Sequence, residues 1–183
     1  MGRQRGHRTL PGAGFLLGAV VGCGLTAGAL ELRYVNWRPV VAPVDEPLHV
    51  RQDAKGDGHF LAPRSGNRLH RGIDLEAALE SPVRAIRSGW VAEVGQHRGL
   101  GQFVELEHRR GLRSLYAHLS AVRVGAGGRV RQGEIIGAVG KTGNARHPWI
   151  APHVHLEVWQ GEELIDPRSL GLAVVDPDGE SES

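Results

Sequence analysis

The apolar positions of the chain follow two patterns, one before residue 31 and one after residue 58. Leu10 to Leu30 carry no charged side chain and follow a basic start, which is typical of an export signal or membrane-anchoring helix. Beyond Gly58, short apolar alternations are interrupted repeatedly by glycine. Alternation with period two predicts strands with one buried face, and frequent glycine predicts the turns between them. We therefore predict an all-β domain of short antiparallel strands over residues 58–172.

The region between these two patterns has no period. Prolines at positions 39, 43 and 47 oppose both helix propagation and regular strand pairing. We therefore interpret residues 31–57 as a proline-containing tether, and we expect the folded domain to be active without residues 1–57. Residues 173–183 are acidic and poor in apolar side chains, which predicts a disordered tail.

The amino-terminal segment 1–30 predicts export. Its apolar run is as long as the ~20 residues that cross a bilayer as a helix, and its basic flank is expected to stay in the cytoplasm. Three fates are open: an uncleaved membrane anchor, cleavage after Ala27-Gly28-Ala29, or a lipoprotein with lipid attached at Cys23, because Val20-Val21-Gly22-Cys23 resembles a lipobox. In each case the rest of the chain is extracytoplasmic, either periplasmic or membrane-anchored.

Composition narrows the chemistry. The 27 glycines and few aromatic residues favour a turn-rich β protein. The formal charge of +2 is small and the basic residues are scattered, so nucleic acid is not an expected partner. Cys23 is the only cysteine, which excludes an internal disulfide and a thiolate zinc cluster, so any metal must be held by nitrogen and oxygen. No serine lies in a recognisable nucleophile motif.

Two segments carry candidate metal ligands. In the strand-like segment His153-Val154-His155-Leu156-Glu157-Val158, both histidines share a face, while the valines and the leucine share the other. One imidazole of this pair could bind a metal while the other lies beside it. The segment His70-Arg71-Gly72-Ile73-Asp74 adds a histidine and a carboxylate at a spacing of four. Two histidines, one carboxylate and an open position are what a catalytic zinc requires.

A predicted hairpin supplies a further histidine. Gly101 to His108 and Leu112 to Leu119 are expected to pair through the glycine-containing connection 109–111. Near its end lies Tyr116-Ala117-His118-Leu119, where strand alternation places His118 on the face of Tyr116 and Ser114. The spacing alone assigns no role to His118. The other histidines fall in the signal, the tether or turn-like stretches and receive none.

Taken in order, these fragments resemble the lysostaphin-type peptidoglycan endopeptidases, which are zinc metallopeptidases. The similarity covers about residues 59–168 and includes the following fragments: Ala62-Pro63-Arg64, Arg68 to Asp74, Pro82 to Ala85, Gly89-Trp90-Val91, Leu115 to Leu119, Gly133 to Gly137, Val139 to Gly143, His153 to Val158 and Asp166-Pro167. Departures are small: Glu80-Ser81 stands where the family commonly has glycine and threonine, and Val154 replaces a frequent leucine.

The resemblance implies a barrel-sandwich-hybrid-like fold and one Zn²⁺ per chain, bound by His70, Asp74 and His155. It implies that His118 and His153 are catalytic residues beside the metal, and that the chain hydrolyses peptide cross-links or bridges of peptidoglycan. Two alternatives are weighed against it. One is an inactive peptidoglycan-binding or amidase-activating module on the same fold, and the other is a lipoyl-like carrier domain over Val130 to Gly143. The complete ligand set argues against the first, and the absence of a suitably placed lysine argues against the second. The oligomeric state is not indicated.

Overall fold

The computed structural model describes residues 39–175, together with Tyr34 and Asn36. The predicted signal or anchor helix over residues 1–30, including Cys23, lies outside the described residues. In the described part of the chain, no helix has the length and apolar character needed to cross a bilayer.

The described residues form strands, turns and three short 3-10 helices, without an α-helix among them. The strands in chain order are β1 (Leu48–Val50), β2 (Gln52–Asp53), β3 (Gly56–Asp57), β4 (Pro63–Arg64), β5 (Arg68–Leu69), β6 (Ile73–Glu76), β7 (Pro82–Arg84), β8 (Gly89–His97), β9 (Gly101–His108), β10 (Leu112–Leu119), β11 (Ala121–Val122), β12 (Arg129–Val130), β13 (Ile135–Ala138), β14 (His153–Gln160), β15 (Glu163–Ile165) and β16 (Val174–Val175). The 3-10 helices span Arg109–Gly111, Gly143–Arg146 and Pro167–Leu170. The all-β prediction is confirmed for these residues.

One large sheet organises the domain. It has nine strands in the order β12-β8-β9-β10-β14-β6-β1-β16, with β15 also paired to β14. A separate three-stranded sheet has the order β11-β13-β7. The predicted hairpin is confirmed with its bounds, since β9 and β10 pair in antiparallel register and Arg109–Gly111 connects them. Arg110 and Gly111 both have positive φ, at 64° and 71°, and so make the tight reversal.

The two faces of the large sheet have different roles. Val154, Leu156 and Val158 of β14 are buried in the main hydrophobic core, as the alternation predicts. The histidines between them project from the opposite face. The central strands therefore anchor themselves in the core with one set of side chains and hold the candidate site with the other.

The prediction of a tether over residues 31–57 is wrong for residues 39–57. Val44 and Leu48 are buried in the main core, and β1 pairs with β6 along the sheet. The sequence pattern does not reveal β1, because the three prolines interrupt the alternation of apolar and polar residues. A strand of three residues, however, needs only a short stretch without proline. The folded unit therefore begins before residue 58, and we no longer expect a fragment starting there to be complete.

The predicted disordered tail also begins too early. Val174 and Val175 form β16, which pairs in parallel with β1. Two residues are too few for an alternation signal in the sequence, and the strand exists because β1 offers an unpaired edge. Residues 176–183 lie outside the described part of the chain.

Candidate metal centre

Three buried side chains, His70, Asp74 and His155, each bring one donor atom to a common point. His70 Nε2 lies 3.1 Å from Asp74 Oδ1, and His155 Nδ1 lies 2.8 Å from the same oxygen. The two ring nitrogens are 3.0 Å apart. In a tetrahedral zinc site with bonds of about 2.0–2.1 Å, neighbouring donor atoms are about 3.3 Å apart. The triangle of donor atoms is therefore close to the size that zinc requires.

The second nitrogen of each ring is held by a hydrogen bond that turns the donor atom towards this point. His70 Nδ1 donates to the carbonyl oxygen of His59 at 2.8 Å. His155 Nε2 donates to Glu157 Oε1 at 3.1 Å. With protons on these nitrogens, His70 Nε2 and His155 Nδ1 present lone pairs beside the Asp74 carboxylate. These two lone pairs and the carboxylate oxygen repel one another unless a positive charge lies between them, so the arrangement fits a divalent cation.

The electrostatics of the three residues agree with this assignment. Burial alone would raise the pKa of Asp74, but in the protonated form of the centre that precedes metal binding, hydrogen bonds from His155 and His70 hold that pKa well below its usual range. Burial lowers the pKa of His155, yet hydrogen bonds to Asp74 and Glu157 outweigh it and raise the pKa to about 9. The centre thus keeps its carboxylate ionised and attracts a proton. A metal ion would displace that proton on binding.

Strand pairing explains how ligands so distant in sequence converge. Asp74 of β6 is the direct antiparallel partner of His155 of β14, so both side chains leave the sheet on the same face at adjacent positions. His70 approaches from the segment before β6. Gly72 allows this approach, because a Cβ there would lie 2.2 Å from the carbonyl oxygen of Leu156.

His118 and His153 complete a cluster of four imidazoles. Their ring centroids are 4.9 Å apart, and the His118 centroid is 5.9 Å from that of His155. His118 Nδ1 donates to the Thr142 carbonyl at 3.0 Å, and His153 Nδ1 donates to the Ala151 carbonyl at 2.7 Å. In its neutral form, each ring therefore carries its lone pair on Nε2.

Burial keeps both rings unprotonated. Burial, together with the neighbouring His153, lowers the pKa of His118 to about 3. Burial also lowers the pKa of His153, whose Nε2 lies 3.8 Å from Asp74 Oδ1. Two neutral imidazoles beside a cation site can accept a proton from a water molecule or, once protonated, donate a hydrogen bond to a developing oxyanion.

The predicted orientation of His118 is wrong. Simple alternation placed it with Tyr116, which packs in the main core on the other face of the sheet. His118 instead has a left-handed backbone conformation, with φ at 65°, and the pairing register between β9 and β10 shifts between Tyr116 and Leu119. This irregularity turns the His118 ring to the face of His153 and His155. A period-two reading cannot reveal such a reversal.

The structure therefore brings all five predicted site residues together, and it adds three groups that the sequence pattern missed. These are the Glu157 carboxylate on His155, the His59 carbonyl on His70, and the Arg51 guanidinium, whose Nη2 lies 2.9 Å from Asp74 Oδ2. Glu157 carried a signal, since it shares the strand face of His155. The other two carried none, because a carbonyl is common to every residue and Arg51 lies in the stretch interpreted as a tether.

Comparison with known families bears directly on this geometry. Residues 68–167 match the model of peptidase family M23, a range that contains all five predicted site residues. The chain belongs to peptidase family M23. The predicted resemblance to lysostaphin-type peptidases is confirmed, since the catalytic domain of the antimicrobial peptidase lysostaphin from Staphylococcus simulans superposes with a TM-score of 0.56 and 32% identity, over 65% of this chain and 92% of that domain.

Two named bacterial peptidases are similar to this chain in sequence. The DD-carboxypeptidase/endopeptidase Mpg of Neisseria meningitidis is 42% identical over 128 residues, which is 69% of this chain and 29% of the relative. The peptidoglycan DD-endopeptidase ShyC of Vibrio cholerae is 32% identical over 113 residues, which is 61% of this chain and 25% of the relative. The chain therefore spans less than a third of the length of either relative.

Proposed function

We propose that this M23 member is a zinc-dependent endopeptidase that hydrolyses peptide bonds of bacterial peptidoglycan. The observation that carries the proposal is the convergence of His70 Nε2, Asp74 Oδ1 and His155 Nδ1 within about 3 Å of one another, with two neutral imidazoles beside them. Three protein donors leave a fourth tetrahedral position for the reaction, which is the arrangement of a catalytic zinc site and not of a structural one.

The proposed role of each histidine follows from the hydrogen bonds of its ring. A zinc ion held by these three donors supplies a Lewis acid that acidifies water and polarises the scissile carbonyl. His118 and His153, neutral and anchored through Nδ1, present Nε2 as a base for the water proton. Once protonated, the same ring can stabilise the oxyanion or hand its proton to the leaving amine. We assign this pair jointly to proton transfer and oxyanion stabilisation.

The substrate class is inferred from the family and its named relatives. A Vibrio relative is named for peptidoglycan and for DD-endopeptidase activity, and a Staphylococcus capitis relative is named as the glycyl-glycine endopeptidase ALE-1. Both the D-amino-acid cross-link and the glycine bridge are therefore candidate bonds. The proposed reacting groups act on the amide group, which both kinds of bond contain, so they do not distinguish between the two.

Digestion of purified sacculi tests the proposal. Sacculi of several chemotypes are incubated with the zinc-loaded protein, and the released fragments are identified by mass. We expect new amino and carboxyl termini at one type of peptide bond, together with one zinc per chain in the purified protein. A protein that binds sacculi but holds no zinc and releases no fragment would be a binding or activating module, and the proposal would be rejected.

We further propose that the chain acts outside the cytoplasmic membrane, guided there by its basic and then apolar segment 1–30. A peptidoglycan substrate requires this location. A reporter that works only in the cytoplasm, fused after Ser183, is expected to stay silent. Cys23→Ala tests lipid attachment, because loss of lipid labelling in this variant identifies a lipoprotein, while an unchanged membrane fraction and no loss of labelling exclude it.

A further inference from the structure

A buried series of ion pairs lies on the side of Asp74 that faces away from the histidines. Arg51 Nη2 lies 2.9 Å and Nε 3.3 Å from Asp74 Oδ2, while Asp74 Oδ1 is the oxygen that faces the histidines. Arg51 Nη1 lies 2.5 Å from Asp53 Oδ2, as an ion pair outside hydrogen-bond geometry. The Arg51 side chain is only 5% exposed. One guanidinium thus bridges two carboxylates in the protein interior.

The series of contacts continues from Asp53 to His153, the first histidine of the β14 pair. Asp53 Oδ2 accepts a hydrogen bond from the backbone N–H of Ala151 at 3.1 Å. The carbonyl oxygen of the same residue accepts the hydrogen bond from His153 Nδ1 at 2.7 Å. A single path of contacts therefore links the carboxylate of a proposed zinc ligand to Ala151, the residue whose carbonyl orients a proposed base.

The backbone holds Arg51 where this path requires it. Its N–H donates to the carbonyl of Asp74 at 2.8 Å, its carbonyl accepts from the N–H of Gly58 at 2.8 Å, and the carbonyl of Gly58 accepts from the N–H of Asp74 at 2.8 Å. Gly58 is packed so closely that a Cβ would lie 2.7 Å from the Arg51 carbonyl. Arg51 and Asp74 are thereby fixed relative to each other through both backbone and side chain.

We propose that Arg51 and Asp53 are positioning residues of the peptidase centre, so that the segment from β1 to β2 is part of the catalytic unit. This proposal rests on the proposed function. By occupying Oδ2, Arg51 orients Asp74 so that Oδ1 alone faces the metal, and through Asp53 it fixes Ala151, whose carbonyl holds His153. The segment lies outside residues 68–167, which match the family model, and the sequence pattern assigned it to a tether.

The test uses the full 183-residue chain with Arg51→Met, Arg51→Lys and Asp53→Ala. Arg84→Met is the matched control. Arg84 Nη1 pairs with Asp45 Oδ1 at 2.8 Å, so this substitution removes an ion pair to the amino-terminal part of the described chain without affecting the metal centre. Zinc affinity is measured by competition with a chelator, and kcat and KM are measured separately on a soluble peptide released from sacculi. Circular dichroism and thermal unfolding of the metal-free proteins verify folding.

We expect Arg51→Met to weaken zinc binding by about 10–100-fold, the usual effect of losing a group that orients a metal ligand. Arg51→Lys keeps the buried charge but reaches only one carboxylate, so it is expected to fold and to bind zinc with intermediate affinity. Asp53→Ala should lower kcat more than it raises KM and should keep zinc affinity closer to that of the control, because it disturbs Ala151, which holds His153, rather than Asp74.

The results distinguish this proposal from the proposed function. Should the unaltered chain bind no zinc, the proposed function fails whatever the variants do. If it binds zinc, the affinity series tests Arg51 even without hydrolysis. The positioning role would be overturned if Arg51→Lys and Asp53→Ala had the same zinc affinity and kcat as Arg84→Met. This comparison is decisive even if Arg51→Met does not fold.

Discussion

Buried histidines lie on both faces of the large sheet, and the one on the core face uses its ring nitrogens differently from those of the candidate site. On the core face, His108 Nδ1 donates to the Ser88 carbonyl at 3.1 Å, and Nε2 lies 2.7 Å from Ser114 Oγ. The Ser114 hydroxyl is 3.1 Å from the Tyr116 hydroxyl, which accepts the backbone N–H of Ile86 at 2.9 Å. Both ring nitrogens of His108 are thus engaged within the core.

On the other face, His118 and His153 each fix Nδ1 on a carbonyl and direct Nε2 into the cluster of metal donors. Burial is not what separates the two groups, since it lowers the pKa of His118 to about 3 and that of His108 to about 4. What differs is the second nitrogen, which has a protein partner in one case and is available to a ligand in the other. A buried histidine therefore indicates a functional site when one of its ring nitrogens keeps a lone pair that no protein group uses.

The largest effect is expected from removing a metal donor. Alanine at position 70, 74 or 155 deletes one of three protein bonds to zinc, so zinc content and hydrolysis should both fall to background. Zinc is measured by atomic absorption in the purified protein. His97→Ala is the control, because His97 is exposed on β8 and its Nδ1 accepts only from nearby backbone N–H groups.

The next largest effect is expected from the two neutral imidazoles. His153→Ala and His118→Asn, where Asn tolerates the left-handed backbone, should keep one zinc per chain. Hydrolysis should fall by ~10²–10⁴, as when a positioned proton-transfer or oxyanion group is lost. Zinc loss as complete as in the donor variants would show that the roles are misassigned. So would a full hydrolytic rate in either variant.

A smaller effect is expected at Glu157, which holds His155 in the required orientation. Glu157→Ala should weaken zinc binding by about 10–100-fold, because the ring can turn or shift its proton. Glu157→Gln keeps an oxygen to accept from Nε2, so its zinc affinity should lie nearer to that of the unaltered chain. Chelator competition measures both, and equal affinities in the two variants would argue against orientation as the cause.

The smallest effect on activity is expected on the core face. His108→Leu should lower the free energy of unfolding by about 1–3 kcal/mol, because the buried Ser114 hydroxyl and Ser88 carbonyl lose a partner. Zinc content and hydrolysis per folded molecule should not change. Denaturant unfolding and zinc analysis check the two statements, and a loss of hydrolysis without a loss of stability would contradict the structural role of His108.

The pH dependence of stability sharpens the same contrast. Burial lowers the pKa of His108 from 6.5 to about 4, so between these values the unfolded chain binds a proton that the folded chain does not. Stability of the metal-free protein should therefore fall as pH drops from 6.5 towards 4. In His108→Leu this part of the fall should be absent, and an unchanged slope would mean that His108 does not contribute to it.

The site was largely readable from sequence because its donors obey local rules. Alternation in β14 places His153 and His155 on one face, and the spacing of four with Gly72 between brings His70 and Asp74 together. The fold class was readable for the same reason, since alternation and glycine spacing are local. The extent of the folded unit was not, because β1 and β16 are strands of three and two residues that exist only through pairing with each other and with β6.

By itself, then, the sequence predicted which residues form the candidate site: two histidines and a carboxylate as metal donors and, through the family resemblance, two more histidines as candidate bases. Only the tertiary structure decided how they face one another. His118 reaches the site through a positive φ and a shift of strand register, which alternation cannot express. Arg51 and Asp53 lie behind the site through pairing between β1 and β6, and their contacts are long-range in sequence. A local pattern encodes which face a side chain takes, whereas its partners across the sheet depend on a register that is set by the packing of the whole domain.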